Sequence, residues 1–256
     1  MTAQSARANV ESILQLSPNQ RAMLLARSLQ PEDPGFIQVT FTLRGALDLD
    51  RYAAAWREVV ARHPSLRASA RDRKDADPLV VVWRAIDLPL ESEDWRGDDE
   101  ARRQARWSEL LAADRRSDLD PASEPVMRLR VVQVEDDRHQ VLWSSHHLFV
   151  DGWSAAIVLE DVIASYRALG GHGDRPTPAS PEALASYARW MLQRDDAAAE
   201  GFWRERLAGY RGMPRFRIGS PASTARGFEE STVGLDAELV SSISDVCAGT
   251  AVTPNA

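Results

Sequence analysis

The sequence predicts an α/β fold: a lobe of mixed sheet with flanking helices over residues 14–169, then a truncated, mainly helical start of a second lobe. Three observations lead there. Apolar residues switch repeatedly between helical and strand spacing, in the order αβαββαββα. A stretch rich in Gly, Pro and Ser at 170–181 reads as a linker. Beyond it come helical patterns and at most one strand, too little to build a second sheet. The domain reading is therefore a lead-in at 1–13, a lobe at 14–169, a linker at 170–181 and an incomplete second lobe at 182–256.

The elements follow from local chemistry. Ser17 suits an N-cap, Pro18 suits the first helical position, and Gln20 completes capping-box spacing for a helix that Pro31 and Pro34 end. Residues 36–44 alternate (Ile37, Val39, Phe41 and Leu43 against Gln38, Thr40, Thr42 and Arg44) and read as a strand. Asp48 caps a helix carrying Tyr52, Trp56, Val59 and Val60, which Pro64 stops. Short strands are expected at 66–70 and 79–83, the second buried on both faces because its apolar run is continuous.

Residues 91–97 read as irregular and acidic, and 99–116 as a charged helix with Trp107, Leu110 and Leu111 on one side. The strand at 126–134 slips phase at Val131-Val132, for which a bulge is one cause. A hairpin at Glu135-Asp136-Asp137 returns it as 138–145, and a helix runs from 153 to 169. Helices are expected at 181–194, 197–207 and 236–248, a strand at 228–235, and the start of another helix at 252–256. Trp56, Trp107 and Trp153 read as core.

Composition narrows the function. The chain has 256 residues, 44% hydrophobic, with 31 basic against 38 acidic side chains and a net charge of −7. That balance gives no basic face for nucleic acid. The single cysteine, Cys247, excludes an internal disulfide framework and a Cys-rich metal site, and reads as a buried thiol in a reducing, cytoplasmic compartment. No apolar run reaches the roughly 20 residues that span a bilayer, and the N-terminus has no apolar core of a secretory signal.

The chemistry gathers at Ser144–Ser154. His146 and His147 end a strand, and Asp151-Gly152 open a helix. An imidazole there is a general base or acid near neutrality. The Gly152 N–H lies at the positive end of a helix, a place suited to negative charge, and glycine admits close approach. Asp151 is a helix N-cap, and His146 points into the lobe and holds the loop. No nucleophile elbow of the Gly-x-Ser-x-Gly type is present.

His146-His147-x-x-x-Asp151-Gly152 resembles the HHxxxDG motif of nonribosomal peptide synthetase condensation domains and of the wider chloramphenicol-acetyltransferase-like fold. Leu16–Leu24 resembles the first condensation motif, Arg62-His63-Pro64-Ser65-Leu66-Arg67 the RHxxLR motif, and Tyr187-Ala188-Arg189-Trp190 the second half of the fourth, whose first Tyr is Leu184 here. The resemblance covers residues 14 to 205.

It implies attack of a carrier-bound aminoacyl amine on a donor acyl or peptidyl thioester, with amide formation and no covalent enzyme intermediate. The catalytic residues would be His147 and Gly152. Supporting roles fall to His146, Asp151, Arg62 and Arg67, the arginines being candidates to pair with Asp151; Arg62 has the alternative of simply ending its helix. No cofactor or metal is implied. Substrates arrive on phosphopantetheine arms, or as acyl-coenzyme A if the domain is a chain-initiating one, which Met1 just before the first motif suggests. Implied partners are acyl or peptidyl carrier domains and an adenylation domain of the same synthetase, with no nucleic acid or membrane, and a monomeric state. Two alternatives stay open: a non-catalytic fragment that docks carrier domains, and an epimerising relative.

Overall fold

The computed structural model describes residues 8–29, 35–74, 76–122, 126–177, 180, 182–212, 233–250 and 252–253. The chain divides into two units, residues 1–208 and 209–256. The expected strand at 228–235 falls mostly, and the helix start at 252–256 partly, outside the described residues, as do Pro31 and Pro34.

In the first unit, β1 (Val10–Gln15) leads into α1 (Pro18–Leu29), then β2 (Phe36–Arg44) and α2 (Leu49–Arg62). A single 3₁₀ turn (Pro64–Arg67) joins α2 to β3 (Ala68–Arg73), which turns back as β4 (Ala76–Trp83). β5 (Leu90–Asp94) precedes α3 (Glu100–Arg116), and the hairpin of β6 (Met127–Glu135) and β7 (Arg138–His146) leads into α4 (Gly152–Leu169). Helices α5 (Ala183–Leu192) and α6 (Asp196–Arg206) complete the unit.

The strands form two sheets. One has the order β1-β4-β3, antiparallel; the other is β2-β7-β6-β5, antiparallel except for the parallel β5–β6 pair. The continuous apolar run of β4 is explained by its central place, with Val80, Val81, Val82 and Trp83 all buried.

Two strands were not expected from the sequence. β1 falls in the polar lead-in, where Glu11 and Ser12 break the alternation, yet it pairs along β4 from Val10 to Gln15. β5 replaces the irregular acidic segment. Its side chains are mostly exposed, and it is held by backbone pairing to β6 and by Glu91–Arg130 at 2.5 Å.

The four-stranded sheet is covered on both faces. Helices α2 and α4 pack on one, where Trp56 meets Trp143 edge-on at 5.3 Å between ring centroids, among Tyr52, Val59, Leu129 and Val131. On the other face Trp95, Val132 and Val134 meet Trp107 and Leu110 of α3. This second layer explains the phase slip in β6: Val131 faces one core and Val132 the other, and pairing stays regular from Met127 through Gln133. The bulge comes later, between Gln133 and Glu135.

The α3 face also holds a polar cluster. Buried Asp114 accepts from Arg128 Nε at 2.5 Å, Ser144 Oγ at 2.5 Å and Gln38 Nε2 at 2.8 Å. The helix is thereby tied to β6, β7 and β2 together.

Trp153 corrects an expectation: it is 84% exposed, because the buried stripe of α4 runs through Val158, Val162 and Ser165. Trp56 is fully buried and Trp107 half-buried. In the second unit, α7 (Ala237–Thr250) is capped by Asp236, whose carboxylate accepts from the Leu239 N–H at 2.8 Å. Cys247 lies on it and is half-buried rather than buried.

Candidate active site

β7 ends at His146, paired with Phe36, and the chain turns through 147–149 before Asp151 starts α4. The two histidines meet different surroundings. His146 is buried, and its Nδ1 accepts from the Leu148 N–H at 3.0 Å, so a neutral ring carries its proton on Nε2. His147 is exposed, and its Nδ1 lies 3.0 Å from the Val150 carbonyl oxygen. A carbonyl only accepts, so Nδ1 bears the hydrogen and Nε2 keeps the lone pair in the neutral ring. Adjacent imidazoles are thus held in opposite tautomers by backbone groups of one turn. The His147 backbone N–H donates to the Gly35 carbonyl at 2.7 Å, fixing the turn against the start of β2.

Asp151 is the N-cap of α4. Its carboxylate accepts from the Ser154 hydroxyl and the Ser154 N–H, both at 2.7 Å. These bonds, the hydroxyl one foremost, hold its pKa below the usual carboxylate value. Gly152 is the first residue of α4, and a Cβ built there would meet nothing within 4 Å. The described packing therefore imposes no need for glycine at this position.

Neither arginine expected beside Asp151 pairs with it. Arg62 reaches Asp161 on α4 at 3.1 Å, where His63 Nε2 also lies at 2.7 Å. Arg67 is buried. It donates to the Val60 carbonyl at 3.0 Å, to Glu11 at 2.6 Å and to the Trp83 carbonyl, joining α2, β1 and β4. Both motif arginines are committed to partners within the lobe: Arg62, the last residue of α2, faces α4, and Arg67, in the turn that follows, faces the three-stranded sheet. Asp161 carries no signal in the sequence, where it looks like one more acid on a helix; only the packing of α2 on α4 exposes its role.

A cleft of about 640 Å³ opens beside His147. Its walls include Leu14 of β1, Leu16 just after it, Gln20 of α1, Ser65, Phe149 of the turn and Tyr187 of α5. All four motif segments thus meet at one cavity. Among the described residues, no group of three or more His, Cys, Asp or Glu side chains could hold a metal ion. No helix there is long and apolar enough to cross a membrane.

A strand delivering a histidine to a helix start, inside an α/β lobe, is the arrangement of the chloramphenicol-acetyltransferase-like class. Comparison with known proteins gives the family. The condensation domain family model matches residues 10–256, and the chain belongs to that family.

The chain is 34% identical to a linear gramicidin synthase protein of Brevibacillus parabrevis over 233 residues, covering 89% of this chain and 3% of that protein. It is 37% identical to chondramide synthase cmdD of Chondromyces crocatus over 179 residues, covering 68% of this chain and 4% of that one. Among solved structures, a variant of the starter condensation domain of rhizomide synthetase RzmA superposes with a TM-score of 0.68 at 21% identity, over 78% of this chain and 49% of that one. The SgcC5 protein of Streptomyces globisporus superposes with a TM-score of 0.69 at 24% identity, over 94% and 56%. These structures share the fold; the chain spans about half their length, and a few per cent of the length of the two synthetases.

Proposed function

We propose that this chain is the first lobe and the beginning of the second lobe of a condensation domain that forms an amide bond between thioester-activated substrates in a nonribosomal peptide synthetase. The observation that carries this is the tautomer of His147. With Nδ1–H engaged by Val150, the Nε2 lone pair is the basic site of the ring on the residue lining the cleft.

An aminoacyl amine attacks the carbonyl carbon of a donor thioester. The C–N bond forms, the carbonyl π electrons move to oxygen, and Nε2 of His147 takes the proton that the amine loses. Collapse expels the thiolate, which takes that proton back. The amide N–H at the start of α4, at Gly152, offers a dipole-assisted partner for the oxyanion. Asp151 serves by capping α4 and His146 by bracing the turn, with Arg62 and Arg67 holding the scaffold behind them.

Carrier domains bearing phosphopantetheine arms would deliver both substrates, and an adenylation domain of the same synthetase would load the acceptor. The likeness to the starter condensation domain of rhizomide synthetase RzmA, a variant of which is solved in complex with C8-CoA, supports a chain-initiating role with an acyl-coenzyme A donor.

The test is a mass-spectrometric condensation assay on the intact synthetase, with acyl-coenzyme A and acyl-carrier donors supplied in parallel. His147→Ala is expected to cut amide formation by about 10²–10⁴-fold. An unchanged rate would sink the assignment. A stereoinverted acceptor without amide would replace it with epimerisation.

A further inference from the structure

Gln20 uses both ends of its side-chain amide. Its Oε1 accepts from the Ser17 N–H at 2.9 Å, while Ser17 Oγ accepts from the Gln20 N–H at 3.2 Å, which closes the capping box of α1. Its Nε2 donates to the Leu148 carbonyl at 2.9 Å, 128 residues away in sequence. Leu148 follows His147 and is buried in the turn that orients it.

The rest of that turn is held by short-range bonds: Leu148 N–H to His146 Nδ1 at 3.0 Å, Phe149 N–H to the His146 carbonyl at 3.1 Å, and His147 Nδ1 to the Val150 carbonyl at 3.0 Å. Gln20 supplies a side-chain tie from outside, alongside the backbone tie to Gly35.

A capping box accepts Glu as readily as Gln at this position, because only an acceptor oxygen is needed. Glutamine adds one thing, an N–H donor, and that donor is engaged on Leu148. We infer that Gln20 is a positioning residue: by pinning the Leu148 peptide it keeps the Val150 carbonyl under His147 Nδ1 and so holds His147 in the Nδ1–H tautomer. This rests on the reading of His147 as the catalytic base. Without the tie, the Leu148 carbonyl is released, the turn relaxes, and Nδ1 loses its fixed partner. A carboxylate at position 20 would also repel that carbonyl oxygen.

Two measurements test it. The first is the imidazole nitrogen shifts of His147 in the ¹⁵N-labelled 256-residue chain. Gln20→Glu is expected to keep the cap and the melting temperature but to move His147 to a mixture of tautomers. Ser17→Ala is expected to lower the melting temperature and leave the His147 shifts in place. The second is amide formation by the intact synthetase, where Gln20→Glu should lower kcat about 10- to 100-fold with KM within about 2-fold, as displacement of a reacting group does. Should Gln20→Glu fold poorly, Gln20→Met, judged against Ser17→Ala for the lost cap, reads the same shifts. Unmoved His147 shifts in both Gln20 variants, or the same movement in Ser17→Ala, would overturn the proposal. If His147→Ala retains full rate, the catalytic reading fails, and the nitrogen shifts still decide whether Gln20 sets the tautomer.

Discussion

His63 Nε2 and Asp161 Oδ2 lie 2.7 Å apart, and Arg62 reaches the same oxygen at 3.1 Å. One carboxylate on α4 thus receives both basic side chains at the end of α2. The pairing clamps the helix that begins at Asp151 against the helix that fills the core with Trp56.

Asp161→Asn should therefore destabilise the lobe. The Arg62 side chain is 11% exposed and would lose its counter-charge, at a cost of about 2 kcal/mol, scaled down from a fully buried pair because Asp161 is 22% exposed. Urea denaturation would show a lower midpoint with an unchanged slope. A midpoint equal to that of the wild type would refute the clamp.

Asp114 predicts a larger effect. Asp114→Ala leaves the Arg128 guanidinium without its counter-charge and Ser144 Oγ without its acceptor, while Gln38 Nε2 keeps the Leu111 carbonyl and Arg128 the Asp118 carbonyl. The expected loss is about 3–5 kcal/mol. Removing the charge from both sides, with Asp114→Leu and Arg128→Met, should restore much of it, because an apolar pair leaves no buried ion. Chemical denaturation of the single and double variants measures the difference; a double variant no better than the single would contradict the buried-ion explanation.

Stability should fall on mild acidification through His139. Burial pushes its imidazole pKa below the ordinary value. The folded state then binds fewer protons than the unfolded one, so stability rises with pH across that range. The contribution is complete above about pH 6.5, the unfolded value, and is lost as pH falls toward the lower folded value. His139→Phe should flatten this part of the profile. Unfolding free energies measured between about pH 7 and 5 would show it, and a wild-type curve rising toward acid would have the wrong sign.

Gly152→Ala separates packing from chemistry. A Cβ there meets nothing within 4 Å, so the fold should tolerate it, with a gain of up to about 1 kcal/mol from reduced freedom of the unfolded chain. If the Gly152 N–H must approach an oxyanion closely, amide formation should nonetheless drop by about 10-fold or more, since a lost oxyanion donor costs at least that. Thermal unfolding and the condensation assay together read both, and full activity would remove Gly152 from the site.

Much of the fold was legible in the residues. Asp48, Asp99 and Asp151 cap α2, α3 and α4 through the amide three residues on, as local spacing implies. The strands with clear alternation or continuous apolar runs were legible for the same reason. β1 and β5 were not, because their pairing rests on backbone groups that composition does not reveal. Trp153 misled because an apolar residue on a helix says nothing of which face meets the core.

The sequence by itself determined the local elements, the strand-to-helix junction that presents His147, and the ordered motifs of a condensation domain. These depend on spacings of a few residues, which the chain displays directly. Only the tertiary structure decided which tautomer each histidine holds, that Arg62 and Arg67 turn away from Asp151, and that Gln20 reaches Leu148. The tautomers follow from the shape of one turn, which residue types alone do not display, and the other pairings from distances between groups up to 128 residues apart, set by sheet register and helix packing.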